Sequence, residues 1–281
     1  MAGRWVIPRA RPSAARRDSR METNMINPMS LDGRSVIVTG AAQGIGLATA
    51  HLLYELGAHV TLLDRNEERL SEAASAFDAQ RILVQCGSIT DRSFVGSAMA
   101  AHIARFGAVD GLVNNAGITR TAMIEKMTLE DWQAVIDVNL TGVFNMLQAV
   151  GTTMIARAKE GEANPGAIVN ISSDAGRKGT IGQINYGAAK SGVLGITMSA
   201  AREWGRHGIR VNSVAYGVVE TEMTEIARSE KFRDRYLSNI PLGRFLSPDE
   251  AAYSIAFLLS PASAFITGQH LSVNGGGHIT A

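Results

Sequence analysis

Short apolar runs rich in Val, Ile and Leu alternate with longer helical patterns along most of the chain, and this rhythm restricts the fold more than anything else in it. The runs fall at 35–39, 60–64, 82–85, 111–114, 167–171, 210–214 and 270–273. Most are too apolar to leave one face in water, as expected of parallel strands covered by helices on both sides. Helical patterns fall at 45–56, 67–77, 92–106, 128–158, 186–205 and 249–259. The alternation predicts an α/β fold with a doubly wound, seven-stranded parallel sheet. The chain has 281 residues, 46% of them hydrophobic, enough to bury a full core. No break in composition divides residues 31–281, which read as a single domain. No apolar run approaches the roughly 18 residues of a membrane span. Two stretches depart from the rhythm. Residues 159–166 read as an exposed loop, and residues 217–248, long for a β-to-α connection, read as a lid over a substrate.

Charge separates the first residues from the rest. The whole chain carries net +1, but residues 1–20 hold six Arg and one Asp, which leaves residues 21–281 at −4. There is thus no whole-molecule case for nucleic acid binding, and nothing argues for a membrane. Residues 1–30, with Pro8, Pro12 and Pro28 and no helical stripe, read as a disordered or artefactual basic extension in preference to an organellar transit peptide. Met21, Met25 and Met29 are alternative starts. The single cysteine, Cys86, points to a reducing, cytoplasmic setting and is expected to be a small buried thiol. Neither Cys86 nor the six His form a metal-ligand spacing, so no metal is expected.

The first run is followed by Thr39-Gly40-Ala41-Ala42-Gln43-Gly44-Ile45-Gly46. Glycines let a backbone turn sharply and approach a ligand. A helix opening there presents free N–H groups to a pyrophosphate. The expected strand before, helix after, and acid at the end of the next strand turn a weak glycine pattern into a dinucleotide site. The acid is Asp64, 18 residues beyond Gly46. Its carboxylate suits an adenosine ribose diol and would repel a 2′-phosphate, which favours NAD over NADP. Arg65 offers a stacking surface or a phosphate contact. Gln43, where a cation would help NADP, leans again to NAD.

Tyr186 and Lys190 stand four residues apart in Asn-Tyr-Gly-Ala-Ala-Lys. On a helix those positions share a face. A cation ~4 Å from a phenol at an effective dielectric of ~20 contributes about 4 kcal/mol, enough to draw a hydroxyl that titrates near 10 down toward ~7. Taken alone, the pair reads either as a general base or as a chance Tyr and Lys on a surface helix, and the rest of the chain has to supply its partners.

Together these segments resemble the short-chain dehydrogenase/reductase family over roughly residues 31–277. The glycine pattern is that family's Thr-Gly-x-x-x-Gly-x-Gly. Asn114-Asn115-Ala116-Gly117 resembles its second signature, Asn139 falls at its catalytic Asn, and Ile171-Ser172-Ser173 resembles its catalytic Ser segment. Ser173, 13 residues before Tyr186, matches the family interval better than Ser172. The resemblance implies a Rossmann-type fold with strand order 3-2-1-4-5-6-7. It makes Tyr186 the acid/base, Ser173 a hydrogen-bond partner of the same substrate oxygen, Lys190 the residue that lowers the Tyr pKa and binds nicotinamide ribose, and Asn139 the anchor of a proton-relay water. It adds Asn114, Ala116, Gly117, Val219 and Thr221 to the cofactor site. Ser88 stands at the family's adenine-binding Asp, with Ile89 packed on the ring, and Tyr216 replaces its Pro beside the nicotinamide.

The resemblance implies an NAD-dependent oxidoreductase moving a hydride between nicotinamide and a small secondary alcohol or ketone, assembled as a homotetramer. Stretches such as Gly182-Gln183-Ile184-Asn185-Tyr186 and Ile240-Pro241-Leu242-Gly243-Arg244 resemble the branch of β-ketoacyl-acyl-carrier-protein reductases. Reduction of a 3-oxoacyl thioester is therefore the alternative substrate class. The alternative from outside enzymology is a catalytically silent dinucleotide sensor.

Overall fold

The computed structural model describes residues 27–279. Seven strands form one sheet in the order β3-β2-β1-β4-β5-β6-β7, and every pairing is parallel. They are β1 (Ser35–Thr39), β2 (His59–Asp64), β3 (Ile82–Cys86), β4 (Gly111–Asn114), β5 (Ala167–Ser173), β6 (Arg210–Tyr216) and β7 (His270–Val273). The larger helices are α1 (Gly44–Glu55), α2 (Glu67–Ala74), α3 (Arg92–Phe106), α4 (Leu129–Ile136), α5 (Val143–Lys159), α7 (Ile184–Trp204) and α10 (Pro248–Leu259). The short ones are α6 (Ala175–Lys178), α8 (Glu225–Arg228) and α9 (Arg233–Leu237). The fold class, the strand order and every strand position agree with the sequence pattern.

Alternation along the strands builds two cores. Val36, Val38, Val60, Leu62 and Val169 pack on one face with Leu53 of α1 and Ile255 of α10. Ile37, Leu63, Leu112 and Ile168 pack on the other with Met99 of α3 and Met146 and Val150 of α5. Side chains of successive strand residues point to opposite faces, so runs such as Ser-Val-Ile-Val-Thr are buried throughout. The expectation of a buried thiol fails here. Cys86 is exposed because β3 is an edge strand, and its second half alternates between partly buried and exposed residues.

Residues 128–158, read as one helix, are one stretch with a defect. Leu129–Lys159 is continuously helical, and by length and composition it could cross a membrane, but half of its most apolar window is buried in the fold. A π-helical turn over Asp137–Gly142 interrupts it. Such insertions often mark functional positions, and this one carries Asn139. The long connection at 217–248 contains α8 and α9. The sequence reading of residues 1–26 lies outside the described residues.

Candidate active site

The chain runs outward from β1 to β3 and then returns through α3 to β4, so strand direction of growth reverses between β1 and β4. In sheets of this kind a crevice opens at the carboxyl ends of the two strands flanking the reversal. A cavity of about 810 Å³ lies there. Gly40 follows β1 with a positive φ of 66°, and a Cβ on it would stand 2.9 Å from the Ala116 Cα beyond β4. A Cβ on Gly46 would come within 2.0 Å of the Gly40 carbonyl oxygen, so this glycine lets α1 pack against the turn and does not line the cavity. Gln43, Gly44 and Ile45 line it. The N-terminus of α1 has no side-chain cap, whereas α2, α3, α4 and α10 are capped by Asn66, Asp91, Thr128 and Ser247. Its first N–H groups are therefore left for an external anion, and the glycine cradle fits a dinucleotide pyrophosphate.

Asp64 and Arg65 line the adjoining part of the cavity, as do Ser88 and Ile89. The Asp64 carboxylate is fixed by two backbone donors, Ala42 N at 3.2 Å and Asn66 N at 3.1 Å. The Ser88 hydroxyl bonds the Thr90 hydroxyl at 2.8 Å. Ala116, Gly117 and Thr221 close the far side. Val219, expected in the cofactor site, is buried and does not line the cavity, and the Cγ2 of Thr221 would lie 3.2 Å from a Cβ on Gly44.

Three further residues support this cavity: Asn115 and Thr39, which stand in the two family signatures without an assigned role, and Arg69, which stands in no motif. Asn115 lines it and donates to the carbonyls of Thr39 and Gly40 at 3.0 and 3.1 Å. The Thr39 hydroxyl accepts from Asn115 N and Ala116 N at 3.0 and 3.1 Å. Arg69 on α2 also lines the cavity, bonds the Gln43 side chain and pairs with Glu222 at 2.9 Å. By contrast Asn114, expected among the cofactor residues, does not line it. As the last residue of β4 its side chain is buried, donating to Asn170 Oδ1 at 2.9 Å.

At the other end of the cavity α7 crosses the carboxyl end of β5. Tyr186 and Lys190 both line the cavity. Ser173, the residue that ends β5 in register with Tyr216 of β6, is near enough to the Tyr186 hydroxyl to oppose the rise in its pKa. Ser172 is engaged elsewhere, donating to the Lys190 carbonyl at 2.9 Å. Lys190 is 2% exposed, and its Nζ donates to the Ile171 carbonyl at 2.7 Å. That ammonium lies 5.6 Å from the Tyr186 ring centroid. Asn139 is fully buried, and its amide exchanges two 2.8 Å bonds with the backbone of Ile118. A Cβ on Gly117 would stand 3.1 Å from Asn139 Oδ1 and 3.7 Å from Lys190 Nζ. Asn139, Ser173, Tyr186 and Lys190 are thus gathered around one spot.

The electrostatics run against the expectation of a lowered Tyr186 pKa. Burial pushes the phenol up to about 12, and the Ser173 hydrogen bond pulls down only part of the way. Burial also pulls Lys190 down to about 8. Spacing places the cation near the ring, but removal of both groups from water disfavours both charged forms and dominates. Tyr216, in place of the family's Pro, adds no bulk to the cavity. It is buried, with its hydroxyl donating to Ala251 O at 2.7 Å and meeting Ser254 Oγ at 2.9 Å, so it ties β6 to α10.

Similarity to known proteins follows the same lines. Residues 40–278 match a family model described as enoyl-(acyl carrier protein) reductase. The chain is 43% identical over 250 residues to a 3-oxoacyl-(acyl-carrier-protein) reductase of Thermotoga maritima, covering 88% of this chain and 99% of that one. It is 40% identical over 256 residues to an acetoacetyl-CoA reductase of a Synechocystis species, covering 89% and 98%. Among solved structures, a gluconate 5-dehydrogenase from Burkholderia cenocepacia in complex with NADP and tartrate superposes with a TM-score of 0.82 at 37% identity, covering 89% of this chain and 96% of that one. Levodione reductase superposes with a TM-score of 0.82 at 32% identity, covering 87% and 97%. With so much of each chain matched at these identities, the protein belongs to the short-chain dehydrogenase/reductase family and is an oxidoreductase acting on CH–OH donors.

Proposed function

We propose that the protein reduces the 3-oxo group of an acyl thioester to the 3-hydroxy form, with NADH preferred to NADPH. The observation that carries the substrate class is the 39–43% identity, along nearly their whole length, to relatives named as 3-oxoacyl-(acyl-carrier-protein) reductases. The buried Tyr186 supports the direction. A phenol held up to about 12 is protonated at neutral pH and is poised to give its proton to a carbonyl oxygen. Ser173, beside the same hydroxyl, donates to that oxygen and holds it in place as negative charge develops. Lys190 binds ribose hydroxyls, and its ammonium steadies the phenolate left behind. Asn139 orders a water that returns the proton from solvent. The nicotinamide, when bound, supplies the hydride.

Asp64 supports the nicotinamide preference. Its carboxylate is held by the Ala42 and Asn66 N–H groups, so it accepts from a ribose diol and repels a 2′-phosphate. A secondary-alcohol or polyol dehydrogenase is the second reading, favoured by that same NAD-type residue. Initial rates with acetoacetyl-CoA, an acetoacetyl carrier protein and a polyol panel, each with both nicotinamides, test the proposal. Thioester reduction fastest with NADH is expected. Polyol oxidation without thioester reduction would establish the second reading instead. We also propose a cytoplasmic homotetramer, for which exposed Phe144, Met198 and Leu271 supply apolar contact surface. A monomer mass by light scattering would reject it.

A further inference from the structure

Among the described residues one acidic side chain is buried, and the reaction above does not use it. Asp174 is 7% exposed and directly follows Ser173. A buried carboxylate is costly unless it is paired and hydrogen-bonded. Its hydrogen-bond partner comes from the far end of the chain. Asn274 Nδ2 donates to both carboxylate oxygens, at 3.0 and 3.1 Å, and to the His278 carbonyl at 3.0 Å. Lys178 Nζ lies 3.7 Å from the carboxylate and donates to the Gly277 carbonyl at 3.1 Å. The Asp174 N–H donates to the Tyr216 carbonyl at 2.9 Å. The loop after β5 is thus stapled to the turn after β7.

That turn in turn holds the end of the long connection. Leu242 N donates to the Gly275 carbonyl at 3.2 Å. A Cβ on Gly275 would fall 2.7 Å from Ile240, and one on Gly276 would fall 2.9 Å from Pro241. The backbone of the turn therefore touches residues 240–242 closely, and the two segments together line a second cavity of about 360 Å³. A charged acceptor makes stronger and better oriented bonds than a neutral one, which is what an anchor between two loops requires.

We propose that Asp174 is a positioning residue. Through Asn274 it fixes the C-terminal turn against the β5 loop, and so holds both the Ser173 hydroxyl and the end of the 217–248 connection in the reactive arrangement. The inference rests on the reading of Ser173 and Tyr186 as the groups that meet the substrate oxygen. Neither Asp174 nor Asn274 lines the dinucleotide cavity, which separates this role from cofactor binding.

A double-mutant cycle tests it on the full-length protein. Asp174→Ala and Asn274→Ala are each expected to lower kcat by about 10- to 100-fold. Dinucleotide Kd, read by fluorescence titration without turnover, should stay within about twofold. The double variant should fall no further than the worse single one, within about threefold, because both act through one contact. Asp174→Asn, which keeps an acceptor for Asn274, should recover most of kcat. An unchanged kcat in Asp174→Ala, multiplicative losses in the double variant, or an equal loss of dinucleotide binding would overturn the proposal. If Asp174→Ala does not fold, Asn274→Ser opens the same contact more gently. A reduced kcat at unchanged Tm then supports the inference, and an unchanged kcat overturns it. Ser173→Ala is the control: full activity there removes the underlying reading, whereas its failure beside an active Asp174→Ala removes only this inference.

Discussion

The two ends of the sheet treat charge in opposite ways. At the amino ends of β1, β4 and β5, Asp110 accepts from Arg157 at 2.7 Å and Ser35 N at 2.8 Å, with Arg34 at 3.5 Å. Arg157 also grips Glu162 through two bonds of 2.7 and 2.8 Å. At the carboxyl ends, Lys190 is more deeply buried, and its ammonium donates to the neutral Ile171 carbonyl. Tyr186 beside it is held far from ionisation. The first end satisfies its charges within the chain and contributes to stability. At the second, Asp174 is likewise held by Asn274, but Lys190 and Tyr186 line the cavity without a charged partner of their own, and that deficit is the capacity to receive a ligand.

Substituting one residue at each end separates the two functions. Tyr186→Phe should lower turnover by about 10³-fold, roughly 4 kcal/mol of transition-state stabilisation. It should leave dinucleotide Kd within about twofold and Tm unchanged or raised, since a buried hydroxyl is removed. Steady-state kinetics with a binding titration checks both. Activity retained in this variant would refute the acid assignment. Asp110→Ala should do the reverse. Leaving Arg157 without one of its anions in a mostly buried site should destabilise the protein by about 3 kcal/mol, read from urea unfolding, with kcat nearly unchanged. A fall in kcat at constant stability would erase the contrast.

Lys190 makes the contrast visible as pH dependence. Its pKa falls to about 8 in the folded protein, from an ordinary 10.5, because burial disfavours the ammonium. Between those values the unfolded chain binds more protons than the folded one. Stability therefore rises with pH from about 8 toward 10, at up to about 1.4 kcal/mol per pH unit. Tyr186 opposes this only above pH 10, where its unfolded form begins to lose its proton while the folded form keeps it to about 12. Lys190→Met should remove the rise between pH 8 and 10 and abolish most activity. An unchanged stability profile in that variant would show that another group is responsible.

The sheet was legible because each strand is a short apolar run and each crossover carries a helical period. Local signals of that kind end where packing partners are distant. Cys86 sits in such a run, yet nothing local reports that β3 lies at an edge. Asn114 and Asn115 are adjacent and identical, and the alternation of side chains at the end of β4 sends one into the core and the other to the glycine turn. The Tyr186–Lys190 spacing located the reactive pair but carried no information on its desolvation, which depends on α7 lying over β5. Asp174 and Asn274 are 100 positions apart, and neither stands in a pattern that names the other.

The smallest effect belongs to a charge pair at the functional end that is not buried. Arg69 and Glu222 bridge α2 and the start of the long connection at 2.9 Å, with side chains 44% and 64% exposed. Water screens such a pair, so Glu222→Gln should change stability by no more than about 0.5 kcal/mol. Both residues line the dinucleotide cavity, so the bridge spans the ligand's path and acts on escape more than on folding. Stopped-flow displacement of NADH should show dissociation faster by about twofold in Glu222→Gln, less so as salt is raised. An unchanged off-rate would confine the carboxyl end's function to its buried groups, and a large loss of stability would mean that exposure does not weaken ion pairs here as the contrast between the two ends requires.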